Sequence, residues 1–132
     1  MPVVFDMTPE EGILHLRFEG ELSTKEIVGT AEVGGAYLRG TGRYFAIIDA
    51  TAQAITADQH KTVVYWTGGL RQIPEGCRIA YIPPLKVTAE RARLIRDVAA
   101  RCGQLMRFFD CYDAAYEWIR FEHDRPGEAA AE

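Results

Sequence analysis

The stretch Arg43-Tyr-Phe-Ala-Ile-Ile-Asp-Ala-Thr51 decides how the rest of the chain is read. Tyr44 to Ile48 is an unbroken apolar run that stops at Asp49. Such a run marks a strand buried on both faces, as in a parallel sheet covered by helices. A polar loop is expected from Ala50 to Ile55, which places Asp49 at the carboxyl end of the strand. In an open α/β sheet, ligands and partners are met at that end.

Working back toward the N-terminus, Ile13 to Glu19 alternates, with Leu14, Leu16 and Phe18 pointing one way and His15, Arg17 and Glu19 the other. This is the period of a half-buried strand. Val3-Val4-Phe5, within Pro2 to Met7, supplies a short strand before it, and Thr8-Pro9-Glu10-Glu11-Gly12 a turn between them. Together they predict an antiparallel hairpin at the exposed side of the sheet. Gly20-Glu-Leu-Ser-Thr-Lys-Glu26 then opens a helix: Ser23 caps it, Glu26 reaches back to the cap, and Leu22 packs on Ile27 across it. Ile27, Ala31, Gly34 and Leu38 follow along one helical face. Gly29, Gly34 and Gly35 weaken this helix and are expected to let it approach the sheet closely. Gly40-Thr-Gly42 ends it.

Beyond the central strand, Thr56-Ala-Asp-Gln59 repeats the capping logic and opens a helix to about Leu70 that buries Val63 and Val64, with Trp66 as a further inward candidate. Arg78-Ile-Ala-Tyr-Ile82 is a second doubly buried strand, halted by Pro83-Pro84. Thr88 to Cys102 carries an apolar stripe of Ala92, Ile95, Val98, Ala99 and Cys102, and Gly103 stops the helix. Gln104 to Phe109 is the last strand. A helix capped near Asp110 and ending near His123 follows, burying Ala114, Ala115, Trp118 and Ile119. Residues 124–132 have no periodicity and read as a flexible tail. The chain is therefore one α/β domain over 1–123, a mixed, mostly parallel sheet of about five strands with four helices.

Composition narrows the classes of function. A chain of 132 residues can bury an ordinary core without disulfides or metals. Its net charge of −4 speaks against a nucleic-acid partner, which needs a concentrated basic surface. There is no membrane span, because no apolar run approaches the ~20 residues required. With no signal-like N-terminus either, the chain is read as cytoplasmic. Cys77, Cys102 and Cys111 lack paired spacing and read as buried free thiols. His15, His60 and His123 lack metal-ligand spacing. The single serine, Ser23, is used as a cap, so no catalytic, metal or cofactor residue is assigned.

Several residues allow two readings. Glu26, Asp49 and Asp58 either converge as acid–base carboxylates or simply cap and solvate helix starts. Lys86, Arg91, Arg93, Arg96 and Arg101 form either an anion or acidic-partner surface or an ordinary solvated face. If Val63 and Val64 point inward, Tyr65 and Trp66 cannot both follow. An exposed aromatic residue there, or at Tyr37, marks a dimer surface or a ligand cleft, and the other reading is core packing.

The element order resembles the STAS fold and its SpoIIAA-like relatives, which include bacterial anti-sigma-factor antagonists. Gly20-Glu-Leu-Ser23, Phe45-Ala-Ile-Ile-Asp49, Arg78-Ile-Ala-Tyr-Ile82 and Ala115-Tyr-Glu-Trp118 carry the resemblance. It implies a non-enzymatic regulatory or interaction module, a homodimer, whose partner is an anti-sigma or kinase-like protein. In the antagonists a serine or threonine after the central strand is phosphorylated to release the partner. Asp49-Ala-Thr51 stands at that position, which makes Thr51, and with it Thr56, the phosphorylation candidates. Asp49, Tyr65 and Trp66 are the interaction or ligand candidates. Ala50 replaces the first hydroxyl residue of the family pattern, and Ala52-Gln53 replaces the glycine that follows the phosphosite. The alternative function is a small-molecule or lipid-binding protein with an apolar cleft between helix and sheet.

Overall fold

The computed structural model describes residues 3–8, 12–54, 59–85 and 87–124, with the backbone alone described for 3–8, 59 and 60. Strands β1 (Val3–Thr8), β2 (Ile13–Gly20), β3 (Phe45–Gln53), β4 (Arg78–Ile82) and β5 (Leu105–Phe108) lie in the sheet in chain order. Strands β2 to β5 are parallel. The first strand pairs antiparallel along β2, from Val3 opposite Phe18 to Thr8 opposite Ile13. The α/β class is therefore as expected, with helices α1 (Thr24–Thr41), α2 (Gln59–Leu70), α3 (Ala89–Arg101) and α4 (Tyr112–Asp124).

Sequential order determines where the helices go. Each of the crossovers β2–α1–β3, β3–α2–β4 and β4–α3–β5 steps in the same direction, so right-handed connections put α1, α2 and α3 on one face. Strand residues of one parity meet them there: Leu14, Leu16 and Phe18, Ala46 and Ile48, Ile79 and Tyr81, and Met106. The opposite parity, Ile13, Phe45, Ile47, Ala80 and Ile82, packs on Ala115 and Ile119 of α4. This explains the unbroken apolar runs in β3 and β4.

The capping box forms as the spacing predicts: Ser23 Oγ accepts from the Glu26 N–H at 3.1 Å and the Ser23 N–H donates to Glu26 Oε1 at 3.0 Å. Leu22 and Ile27 both enter the core. At the other end Gly42 takes φ +71° and donates its N–H to the Leu38 carbonyl, the left-handed stop that glycine supplies without strain. The glycines inside α1 divide. A Cβ on Gly34 would lie 2.8 Å from Leu14 Cδ2, so this one does admit the sheet. One on Gly35 would sit 2.1 Å from the Gln72 carbonyl oxygen, so this close approach is to the turn after α2 instead. Nothing lies within 4 Å of a Cβ on Gly29, which admits no neighbour.

Four further expectations are corrected. The central strand does not end at Asp49 but continues to Gln53, because β2 keeps pairing with it as far as Gly20 opposite Gln53. His15 is buried rather than outward, since α4 reaches over it and Tyr112 Oη lies 2.6 Å from its Nδ1. On α2 the inward face is Thr62, Trp66, Gly69 and Leu70. Val63 is half-buried against that core, whereas Val64 is half exposed. Of the thiols only Cys77 is buried; Cys102 is partly exposed and Cys111 exposed. The α3 stripe is found at Ala92, Ile95, Val98 and Ala99, with Cys102 half-buried at the C-cap, and Thr88 caps the helix by accepting from the Arg91 N–H. On α4 Ala115 and Ile119 are buried, while Ala114 and Trp118 are half-buried. Asp124 belongs to α4, and the rest of the expected tail lies outside the described residues.

Two outcomes follow for stability. In urea titrations Gly29→Ala is expected to raise stability by up to ~1 kcal/mol, and Gly35→Ala to lose about 1–3 kcal/mol or more through overpacking. The second concerns acid. Hydrogen bonds from the Ser23 backbone and side chain hold the Glu26 carboxyl below its ordinary value of 4.5. Because the folded value is the lower one, the capping box stabilises the native state above 4.5 and loses its effect as pH falls through the folded value. Glu26→Gln should remove this contribution and show a shallower loss of stability in that acid window.

Candidate functional site

Past Arg17, two residues of β2 accompany three of β3, since the pairing passes from Arg17 opposite Asp49 to Glu19 opposite Ala52. The extra residue is a bulge in β3, and an odd insertion reverses which face the following side chains meet. Ala46, Ile48 and Ala50 point toward α1–α3 before it. After it Gln53, of the other parity, points there too, and its Nε2 donates to Tyr65 Oη of α2 at 2.7 Å. The bulge thus re-aims one polar side chain into the space between the helices and the end of the sheet.

That space is a half-open cleft of about 40 Å³ at the carboxyl ends of β3 and β4. Gln53 and Ala54 form its floor with Tyr81 of β4. Glu21 and Leu22, just after β2, form one wall; Thr62, Tyr65 and Trp66 of α2 and Arg91 and Ile95 of α3 form the others. Arg91 Nη1 donates to Thr62 Oγ1 at 2.7 Å, fixing the guanidinium across the gap between the two helices. Tyr81 is 1% exposed, its ring set edge-on against Trp66 and Phe108 with centroids 5.1 Å away in each case. Burial pushes both the Tyr65 and Tyr81 phenols well above their ordinary values, so each stays protonated at neutral pH.

The sequence-derived candidates are placed as follows. Tyr65 and Trp66 both line the cleft, and neither is the exposed aromatic that the inward valines required. Tyr37 is half-buried against the main core. Asp49 lies on β3 before the bulge, and its Oδ1 accepts from the Thr51 N–H at 3.0 Å and from the Thr51 hydroxyl. Thr51 itself is exposed and sits within the strand, not at a helix start. Thr56, Asp58 and Lys86 lie outside the described residues. Glu26 is used in the capping box and Asp49 accepts from Thr51, so of the two readings of the carboxylates the capping one is found for Glu26. The arginines of α3 part company: Arg91 enters the cleft, Arg96 stacks on Phe108 at 4.8 Å, and Arg93 and Arg101 are exposed.

Sequence reasoning missed Gln53, Thr62 and Tyr81, and of the α3 arginines it named, Arg91 is the one that enters the cleft. Tyr81 reads as one more apolar strand residue, and Gln53 as loop. The available signal was positional: both end doubly buried strands whose following helices start beside them. Among the described residues no group of three or more His, Cys, Asp or Glu side chains could hold a metal ion, and no helix is long and apolar enough to cross a membrane.

No protein-family model matches the chain, nor does any curated protein or solved structure.

The thiols give a direct check on the geometry. Burial raises the Cys77 thiol, with Arg78 opposing the shift only in part, and a protonated buried thiol is inert. With an aromatic disulfide reagent, Cys111 is expected to react first in the native protein, Cys102 more slowly, and Cys77 only on unfolding. The order is read from peptide mass mapping over time.

Proposed function

We propose that this chain is a non-enzymatic regulatory or protein-interaction module of the SpoIIAA-like type, and that it meets its partner at the carboxyl end of the sheet. The observation that carries this reading is the overhang of β3. Strand β4 pairs with it only as far as Ile82 opposite Asp49, and Pro83-Pro84 follows, so β3 runs on past its neighbour and holds Thr51 and Ala52 in solvent. A partner can read the Thr51 hydroxyl there together with the strand that bears it.

Phosphorylation of Thr51 would add about −1.5 to −2 charge beside the Asp49 carboxylate that now accepts the hydroxyl proton. Repulsion between the two anions would open the turn and change the surface. Self-association as a homodimer and a cytoplasmic setting are parts of the same proposal.

The apolar-ligand reading has a specific seat, between α1, α2 and the sheet, lined by Leu16, Phe18, Ile27, Ile48, Leu70 and Ile73. Its volume is about 30 Å³, far below the ~300–1,000 Å³ of pockets that hold drug-sized ligands. Volume therefore favours the interaction reading.

The test is quantitative affinity capture from the source cells with the wild-type, Thr51→Ala and Thr51→Glu chains. A partner held by wild type and Thr51→Ala but depleted about tenfold or more, roughly 1.4 kcal/mol, by Thr51→Glu is the expected result. Equal recovery on all three chains, or turnover of a substrate by the purified protein, would defeat the proposal. Native mass spectrometry tests the other reading through a retained apolar ligand.

A further inference from the structure

We propose that the outer edge of β5 is a docking site for an extended segment of a protein partner, one that carries acidic side chains between apolar ones and adds to the sheet as a further strand. The site stands apart from the Thr51 surface, because β5 lies two strands away from β3 in the sheet.

The backbone supplies the first part of the argument. β5 is the last strand of the sheet, and no described strand pairs with its outer edge. The Leu105 and Phe109 N–H groups donate inward, to the Cys77 and Tyr81 carbonyls. Alternation along a parallel strand then turns the N–H and C=O groups of Met106 and Phe108 outward. Such a row is a template for one more strand.

The side chains supply the second part. On the α4 face the edge presents Leu105, half exposed, then the exposed Arg107, then the partly buried Phe109. The Arg107 guanidinium lies over the Phe109 and Trp118 rings, 5.8 and 5.2 Å from their centroids. On the opposite face Arg96 of α3, also exposed, lies over the Phe108 ring at 4.8 Å. Neither arginine forms an ion pair among the described residues. The edge thus carries a cation on each face, backed by aromatic rings. Arginine and aromatic residues are the side chains enriched at protein interfaces, and a guanidinium stacked on a ring still presents N–H donors to a carboxylate.

Charge decides the occupant. If a second copy paired antiparallel with β5 through Met106 and Phe108, the two-fold axis would fall at Arg107 and set the two arginines directly opposite, where like charges repel. A homodimer therefore has to use another surface. A segment with carboxylates at that point meets the opposite sign. The pleat fixes its pattern: apolar side chains beside Leu105 and Phe109, and two adjacent acidic ones beside Arg107 and Phe108, where Arg96 lies. Main-chain hydrogen bonds supply affinity and these side chains supply selection.

The probe is a short fluorescein-labelled peptide of valine and threonine with two adjacent glutamates at its centre, titrated into the full chain at about 0.1 M ionic strength and followed by anisotropy. Saturable binding is expected, weakened about tenfold when glutamines replace the glutamates. Arg107→Glu should weaken the glutamate peptide about tenfold or more and create binding of a lysine version, and Arg96→Glu should act in the same direction. Amide hydrogen exchange at Met106 and Phe108 should slow severalfold in the complex, a change that a merely electrostatic encounter does not produce. Lack of saturation up to millimolar peptide, equal binding of the glutamate and glutamine peptides, or saturation with unchanged exchange at those two amides overturns the proposal. So does a dimer, seen by sedimentation, in which the same amides are protected without peptide, since the edge would then belong to a second copy. Tighter binding of a single-stranded oligothymidylate than of the peptide overturns it as well.

Discussion

The packing of α4 against the face that α1, α2 and α3 leave bare is the contact on which the layered arrangement depends. Without it Phe45, Ile47, Ala80 and Ile82 would face water; with it they close on Ala115 and Ile119. Each fully buried aliphatic side chain contributes roughly 1.5–3 kcal/mol, so this second, smaller core is a large part of what holds the sheet. The helix is anchored at its far end as well, where Glu122 accepts from Arg78 Nε at 3.0 Å. One helix cannot cover the whole sheet, and at the β5 edge Leu105 is half exposed. There Arg107 lies over the Phe109 and Trp118 rings and screens them in place of a second helix.

Where local chemistry alone decides a feature, the sequence was a sufficient guide. The box at Ser23 and Glu26, the stripe on α3 and the left-handed stop at Gly42 all depend on residues within a few positions of one another. His15 shows the opposite case. Alternation along β2 assigns it to the outer face, yet Tyr112 and Tyr116, about a hundred positions away, cover that face. The end of β3 failed for a related reason. Asp49 interrupts the apolar run without ending the strand, because strand pairing with β2 and the burial of Ala50 outweigh one polar side chain.

The site was harder to read than the fold. Its polar members come from the ends of β3 and β4, the middle of α2 and the first turn of α3, and only the sheet brings them together. The bulge in β3 is decisive here, since the parity of Gln53 predicts the wrong face unless the extra residue is known. Tyr65 and Trp66 were singled out as a pair of which one is either exposed or packed in the core, and the packing reading is the one found, with Trp66 buried and Tyr65 half-buried. Both belong to the cleft because Val64 takes the outward position instead. Gln104 illustrates how such polar positions hide in apolar surroundings: it is buried, and its Nε2 donates to the Leu70 and Ile73 carbonyls, closing the end of α2.

Strand order also has a consequence for how the chain is made. Every strand hydrogen-bonds to its neighbour in sequence, so each new βα unit finds its docking edge already in existence as synthesis proceeds. Loop closure stays short for the sheet and for α1–α3, the condition under which folding is fast. Helix α4 is the exception, since it returns from the β5 edge to β3 and β4. Until it arrives, those strands carry an uncovered apolar face, and that interval is when the nascent protein is most open to aggregation or to a chaperone.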